Sequence, residues 1–197
     1  MNNRISNPPG NILVDTAIEF ATKAHRNQVR KGTDIPYISH PFSVGIILAE
    51  AGCSEEVIAA GILHDTIEDT STTVEDLLAI FGEKVTDIVE GCTEPDKSLP
   101  WEERKQHMIE FLKTAPYDVR LVSCADKLHN IRSIAGEYAR IGDKVWARFK
   151  RGKNEQEWFY RRIVESLCNR TVENENTTLF SQLRNEVDSL FGLGKQK

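Results

Sequence analysis

The chain has 197 residues, 40% of them hydrophobic, and a formal net charge of −5. That length can bury a core without disulfide or metal staples and fits one domain, taken as residues 11–191 with tails at 1–10 and 192–197. The acidic balance excludes a diffuse nucleic-acid binder, which must neutralise many phosphates, and leaves small anions held at a local basic patch.

The hydrophobic pattern is helical nearly throughout, with no strong strand-like alternation and no repeat. A first helix starts near Asn11, an N-cap residue type after Pro8-Pro9-Gly10. Leu13, Ala17, Phe20, Ala21 and Ala24 make its apolar stripe. A polar loop from Arg26 to Pro36 carries Arg30, Lys31, Gly32 and Asp34. Tyr37-Ile38-Ser39-His40-Pro41 opens the second helix, with Pro41 in the first turn, where a missing N–H is tolerated. Val44, Ile47, Leu48 and Ala51 face inward and Gly52 stops the helix. Ser54 caps a third helix, apolar nearly all round through Val57, Ile58, Ala59, Ala60, Ile62 and Leu63, as a central buried helix requires. It delivers His64 and Asp65. Thr72 and Glu75 have capping-box spacing for a helix that Gly82 ends, and another runs from Glu83 to Cys92. Pro95 and Pro100 bracket a loop before helices near Trp101–Thr114 and Tyr117–Ile134, separated by Pro116. The last third, with Trp146, Phe149, Trp158, Phe159 and Tyr160, reads as further helices. The expected fold class is all-α, a helical bundle with no clear linker.

Cys53, Cys92, Cys124 and Cys168 lie far apart and form no CxxC pair, so free thiols in apolar surroundings are expected rather than a zinc ribbon. The first ten residues are polar, no secretory leader is expected, and no stretch approaches the roughly 18 apolar residues of a membrane span. A reducing cytoplasm is the default compartment.

Chemistry concentrates in two fragments. In His64-Asp65-Thr66-Ile67-Glu68-Asp69, an imidazole and a carboxylate follow a run of apolar residues, although a charged Asp is rarely buried unless paired or metal-bound. Glu68 and Asp69 stand four residues after His64 and Asp65 and share their helix face if the helix continues. Such crowded carboxylates are explained by a bound cation; a helix end with a capping His and solvated acids is the structural alternative. The fragment is not an HExxH motif, because the second His is absent. In Leu121-Val122-Ser123-Cys124-Ala125-Asp126, a second apolar helix ends in a carboxylate, followed by Lys127, His129, Asn130 and Arg132. A cap, or an ion pair with Lys127, is the alternative there.

His64-Asp65 with an upstream His and a downstream Asp resembles the HD superfamily of metal phosphohydrolases. The likeness is closer still to the alarmone hydrolases, the small stand-alone enzymes and the hydrolase domains of RelA/SpoT-type proteins. Three motifs carry it, covering roughly residues 15 to 135: Arg30-Lys31 with Pro36-Tyr37-Ile38-Ser39-His40-Pro41; Gly61-Ile62-Leu63-His64-Asp65-Thr66-Ile67-Glu68-Asp69-Thr70; and Ala125-Asp126-Lys127-Leu128-His129-Asn130-Ile131-Arg132. The resemblance implies an HD-type fold and four metal ligands, His40, His64, Asp65 and Asp126, holding Mn2+ or another divalent ion. It implies Glu68 and Asp69 as the catalytic acids, Arg30 and Lys31 as the grip on a guanosine nucleotide, and Asn130 with Ser133 as further substrate contacts. The implied reaction removes the 3′-pyrophosphate of ppGpp or pppGpp. His25 reads as packing or support for the site, His129 as fold or site rim, and His107 as surface. The loop Gly32-Thr33-Asp34-Ile35 varies in length within the family and helps shape base recognition. The aromatic segment from Trp146 resembles the C-terminal end of bacterial stand-alone members and reads as helix packing. Two other readings stand beside this one: an HD hydrolase of another nucleotide, such as an adenosine alarmone or an NADPH-like dinucleotide, or a nucleotide-binding module without catalysis. Arg30-Lys31 favours the first reading, and the intact Glu68-Asp69 pair argues against the last. The expected partner is a small nucleotide, with no nucleic acid and no membrane.

Overall fold

The structure, a computed structural model, describes residues 11–94, 96–168 and 178–193. The expected tail at 1–10, Pro95 and residues 194–197 lie outside the described residues. Among the described residues every regular element is a helix, and the isolated antiparallel bridge between Val29 and Pro36 is the one extended pairing. The chain is all-α. Two compact units subdivide the span taken as one domain from the sequence: Met1–Val29 with Ile35–Thr93, and Arg30–Asp34 with Glu94–Lys197.

The first unit holds α1 (Asn11–Ala24), α2 (Ser39–Glu50), α3 (Glu55–Leu63), α4 (Thr66–Asp69) and α5 (Val74–Cys92). α3 is central and packs on α1, α2 and α5. Val57, Ala59, Ala60, Ile62 and Leu63 are buried, as its all-round apolar sequence requires. Each fully buried Leu here contributes about 1.5–3 kcal/mol. Two glycines set how closely α2 meets α3. A Cβ at Gly61 would sit 2.3 Å from Leu48 Cδ1, and one at Gly45 would sit 2.6 Å from Ile62 Cγ1. A larger residue at either position would force the Leu48 or Ile62 side chain to move.

The ends of these helices follow local chemistry. Past α2, Gly52 N–H bonds Ala49 O and Cys53 N–H bonds Leu48 O, the paired bonds of a Schellman stop. The capping box of α5 forms at Thr73 and Asp76, one residue beyond the Thr72–Glu75 spacing expected. The reason is local: the Thr72 hydroxyl is bonded to that of Thr70 at 2.8 Å, while Thr73 N–H bonds Asp76 Oδ2 at 3.0 Å. Gly82, at φ 75° and ψ 173°, is non-helical and divides α5 into two helical stretches, as the sequence leads one to expect.

The second unit holds α6 (Trp101–Leu112), α7 (Tyr117–Ile141), a 3₁₀ turn (Gly142–Arg148), α8 (Lys153–Cys168) and α9 (Thr178–Phe191). α7 packs on α9, α8 and the 3₁₀ turn, and α6 packs on α8. α7 continues past Ile134, where the sequence reading ends it, because nothing breaks the helix before Gly142. Arg120, fully buried on α7, donates to Leu167 O at 2.7 Å and lies over the Phe180 ring. Trp146 stacks on Phe191, and Phe159 meets Trp101 and Tyr160 edge-on, so the aromatic segment packs helices together. All four cysteines are free thiols; burial pushes Cys124 and Cys168 up, away from the reactive thiolate form. Among the described residues no helix is long and apolar enough to cross a membrane.

Candidate metal centre and its acidic turn

His40 sits in the first turn of α2 and His64 directly follows α3, both buried. The close approach of the two helices brings their rings edge to face, with centroids 5.2 Å apart. Asp65 occupies the N-cap position of α4 but makes no capping bond with its side chain. Its carboxylate turns instead to the histidines: Oδ2 lies 3.0 Å from His64 Nε2 and 3.7 Å from His40 Nε2. Tyr37 donates its hydroxyl to the same oxygen at 2.5 Å. One ligand atom from each of His40, His64 and Asp65 falls within 4.8 Å of the others.

The tautomer of His64 decides what this arrangement can hold. Its Nδ1 is 2.8 Å from the carbonyl of Gly61. A carbonyl only accepts, so Nδ1 carries the hydrogen, and a neutral ring then presents a lone pair at Nε2. That lone pair faces a carboxylate oxygen 3.0 Å away, itself an acceptor. Two acceptors at that distance need a proton or a metal cation between them. A proton would answer for one imidazole; a divalent ion answers for both imidazoles and the carboxylate together. Mixed nitrogen and oxygen donors suit a first-row divalent ion, and a ligating His commonly gives its other N–H to a carbonyl, as His64 does. The residues fit a metal.

The helix that would have to continue for Glu68 and Asp69 to share a face with His64 and Asp65 breaks at His64-Asp65 and resumes as α4. The backbone stays close to helical, with Asp69 N–H bonding Asp65 O at 2.9 Å, so Glu68 and Asp69 still follow one turn after His64 and Asp65. Glu68 is half-buried and Asp69 exposed. The turn is tied at both ends: the Thr66 hydroxyl donates to Leu63 O at 2.7 Å, and Gln28 Nε2 donates to Asp69 O at 2.6 Å.

The remaining expected site residues belong to the second unit. Asp126, 8% exposed, accepts from Asn130 Nδ2 at 2.6 Å through one oxygen and from Lys127 Nζ at 2.5 Å through the other. Asn130 Oδ1 in turn accepts from Arg30 Nη2 at 2.9 Å. The unit thus brings Arg30, Asn130 and Asp126 into one hydrogen-bonded chain. Lys31 is exposed and Ser133 half-buried, and neither belongs to that chain. In the same unit Arg104 and Lys105 both bind the Glu94 carboxylate. Burial alone would raise Glu94, but the charge and hydrogen bond of Lys105, with Arg104, bring it below the usual carboxylate value. Burial, and then the neighbouring Lys127 cation, lowers Lys105. Burial likewise raises Tyr160, on which the charges of Lys127, Asp126 and Arg30 also act.

His25 is buried, His129 half-buried and His107 exposed. Sequence reasoning assigned no role to Tyr37, Gln28, Glu94 or Lys105. Tyr37 stood inside a quoted motif, which was a usable signal; the other three act through partners that only folding supplies.

Comparison with known proteins places these features in a wider group. The sequence model described as HD domain matches residues 17–155. A Danio rerio protein named guanosine-3′,5′-bis(diphosphate) 3′-pyrophosphohydrolase MESH1 is 44% identical over 126 residues, which is 62% of this chain and 69% of that protein. The Homo sapiens protein of the same name is 38% identical over 173 residues, 84% of this chain and 92% of that one. Among solved structures, one described as a metazoan ortholog of SpoT that hydrolyses ppGpp superposes with a TM-score of 0.75, at 27% identity over 95% of this chain and 99% of that one.

Proposed function

The chain belongs to the HD-domain family, and on that premise we propose that it is a metal-dependent hydrolase that removes the 3′-pyrophosphate of ppGpp or pppGpp, leaving GDP or GTP and pyrophosphate. The observation that carries this reading is the convergence of two imidazoles on the Asp65 carboxylate, one helical turn before Glu68 and Asp69. The names of the Danio rerio and Homo sapiens relatives supply the substrate.

His40, His64 and Asp65 would hold the ion, with Asp126 as fourth ligand. The support for Asp126 is its sequence motif, an apolar helix ending in Ala125-Asp126. We assign the ion as Mn2+, in keeping with the nitrogen and oxygen donors. When bound, a divalent cation supplies Lewis-acid polarisation of a phosphoryl oxygen and eases deprotonation of water. Glu68, half-buried, takes the proton from the attacking water, and Asp69 orients that water. Tyr37 holds the Asp65 carboxylate in place by its hydroxyl. Arg30 and Lys31 grip the nucleotide: the planar guanidinium can stack on a base or fork onto a phosphate, while Lys31 is a mobile point charge. Asn130, bonded to Arg30, and Ser133 on the same helix complete the substrate contacts.

The test is incubation of Mn2+-loaded protein with a panel of nucleotides and separation of the products by ion exchange. Release of pyrophosphate from ppGpp at a rate above all other nucleotides is expected. Fast turnover of an adenosine alarmone or a dinucleotide, with ppGpp untouched, would move the substrate; binding without any turnover would leave a recognition module.

A further inference from the structure

His25 and Gln28 reach the acidic turn from the end of α1. His25 opens the turn after α1, is 1% exposed, and its ring lies 5.0 Å from the ring of Tyr37. Its Nδ1 is 2.8 Å from Gln28 Oε1, and Gln28 Nε2 is 2.6 Å from the main-chain oxygen of Asp69, 41 residues later. The direction of these bonds is fixed by chemistry. The Asp69 carbonyl can only accept, so the Gln28 amide nitrogen must face it; the amide oxygen then faces His25, whose Nδ1 must carry the hydrogen. His25 Nε2 is left buried with no hydrogen-bond partner among the described residues, a burden that an apolar residue would not carry at this position. The imidazole therefore does something other than fill space: it orients the Gln28 amide. The main chain of Gln28 reaches the same centre by a second route. Its carbonyl accepts Tyr37 N–H at 2.8 Å, and the Tyr37 hydroxyl holds Asp65.

We propose that Gln28, oriented by His25, is a positioning residue that fixes the Glu68-Asp69 turn relative to Asp65. α4 is only four residues long and cannot hold its own register. Its last carbonyl is anchored from outside by the Gln28 amide, and its first residue is anchored by Thr66 to Leu63. Gln28 also links that anchor, through Tyr37, to the carboxylate that the acids must face. In its claim on turnover the proposal rests on the hydrolase reading above.

The test uses the full chain and three variants. Gln28→Met keeps the shape and removes the donor to Asp69. His25→Leu removes the donor to Gln28. His25→Asn places an amide N–H where Nδ1–H stood. Gln28→Met and His25→Leu should lower kcat about 10–100-fold, the range that a small misplacement of reacting groups produces. KM for ppGpp and calorimetric Mn2+ affinity should stay within about twofold of wild type, as a pure positioning effect requires. His25→Asn should restore kcat. Independently of activity, hydrogen exchange of peptides covering residues 64–72 should quicken in Gln28→Met and His25→Leu and return to wild type in His25→Asn. Wild-type exchange in Gln28→Met overturns the proposal, as does wild-type kcat. A wild-type protein that does not turn over ppGpp would fail the substrate reading alone, and the exchange measurement would then decide the role of Gln28.

Discussion

Asp65 concentrates the chemistry of the candidate centre in one oxygen, which faces two imidazole nitrogens and accepts the Tyr37 hydroxyl. Its removal leaves the two imidazoles without the carboxylate that joins them. Asp65→Ala should therefore lose both Mn2+ binding, measured by calorimetry, and turnover. Glu68→Ala should keep the ion and lose kcat by about 100–10,000-fold, the usual worth of a positioned acid or base; unchanged kcat would remove Glu68 from the mechanism. Residues of this kind were legible in the sequence where burial conflicted with charge. His64 and Asp65 stood out because an apolar helix does not end in an ionisable pair without a reason. Tyr37 was not legible as the holder of Asp65, because a hydrogen bond across 28 residues leaves no trace in local spacing.

At the scale of the helices, the crossing of α2 and α3 sets the distance between His40 and His64. Gly61 makes that crossing close, and its carbonyl also fixes the His64 tautomer. Gly61→Ala would drive a Cβ into Leu48 and should destabilise the protein by about 1–3 kcal/mol, the usual range for overpacking. A fall in Tm of about 2–4 °C per kcal/mol is expected for a chain of this size. Because α2 carries one imidazole and α3 leads to the other, Mn2+ affinity should fall with it; thermal melts and calorimetry on one sample check both. The helices themselves were largely readable, since apolar spacing, Pro41, Gly52 and Gly82 mark faces and ends locally. The capping box was misplaced by one residue because Thr72 and Thr73 present the same chemistry to a sequence reader. Only the Thr70 hydroxyl, which engages Thr72, distinguishes them.

For the molecule as a whole, the sequence shows a net charge of −5, and the ligand proposed for it is a polyanion. The sequence therefore required a local basic patch, of which it offered only Arg30 and Lys31. Arg104 and Lys105 meet at Glu94, and Lys127, from a separate segment of the second unit, lies near enough to act on both Glu94 and Lys105. Glu94 binds two of them, and its carboxyl has consequences for acid stability. In the folded chain it lies below its ordinary value of 4.5, because Lys105 and Arg104 outweigh the effect of burial. A depressed carboxylate contributes stability in full above that ordinary value and loses it as pH falls through the folded-state value. Wild type should thus lose stability below about pH 4.5 more steeply than Glu94→Gln. The variant should be the weaker at neutral pH, where it leaves the half-buried Lys105 without its counter-charge. Urea melts across the acid range measure both slopes.

The bridge between Val29 and Pro36 pins the two feet of the loop that carries Arg30 and Lys31. Between those feet the chain turns on bonds of its own, from Thr33 N–H and its hydroxyl to Arg30 O. A segment closed at its base can be exchanged as a cassette: residues 31–35 can lengthen, shorten or change sequence while the feet, and the His40 helix that follows, keep their positions. On the proposed role of Arg30 and Lys31 in gripping the nucleotide, divergence in nucleotide preference would accumulate in this one short stretch under little constraint from the hydrolytic machinery. Loop grafts between relatives, scored on a nucleotide panel, would test that role.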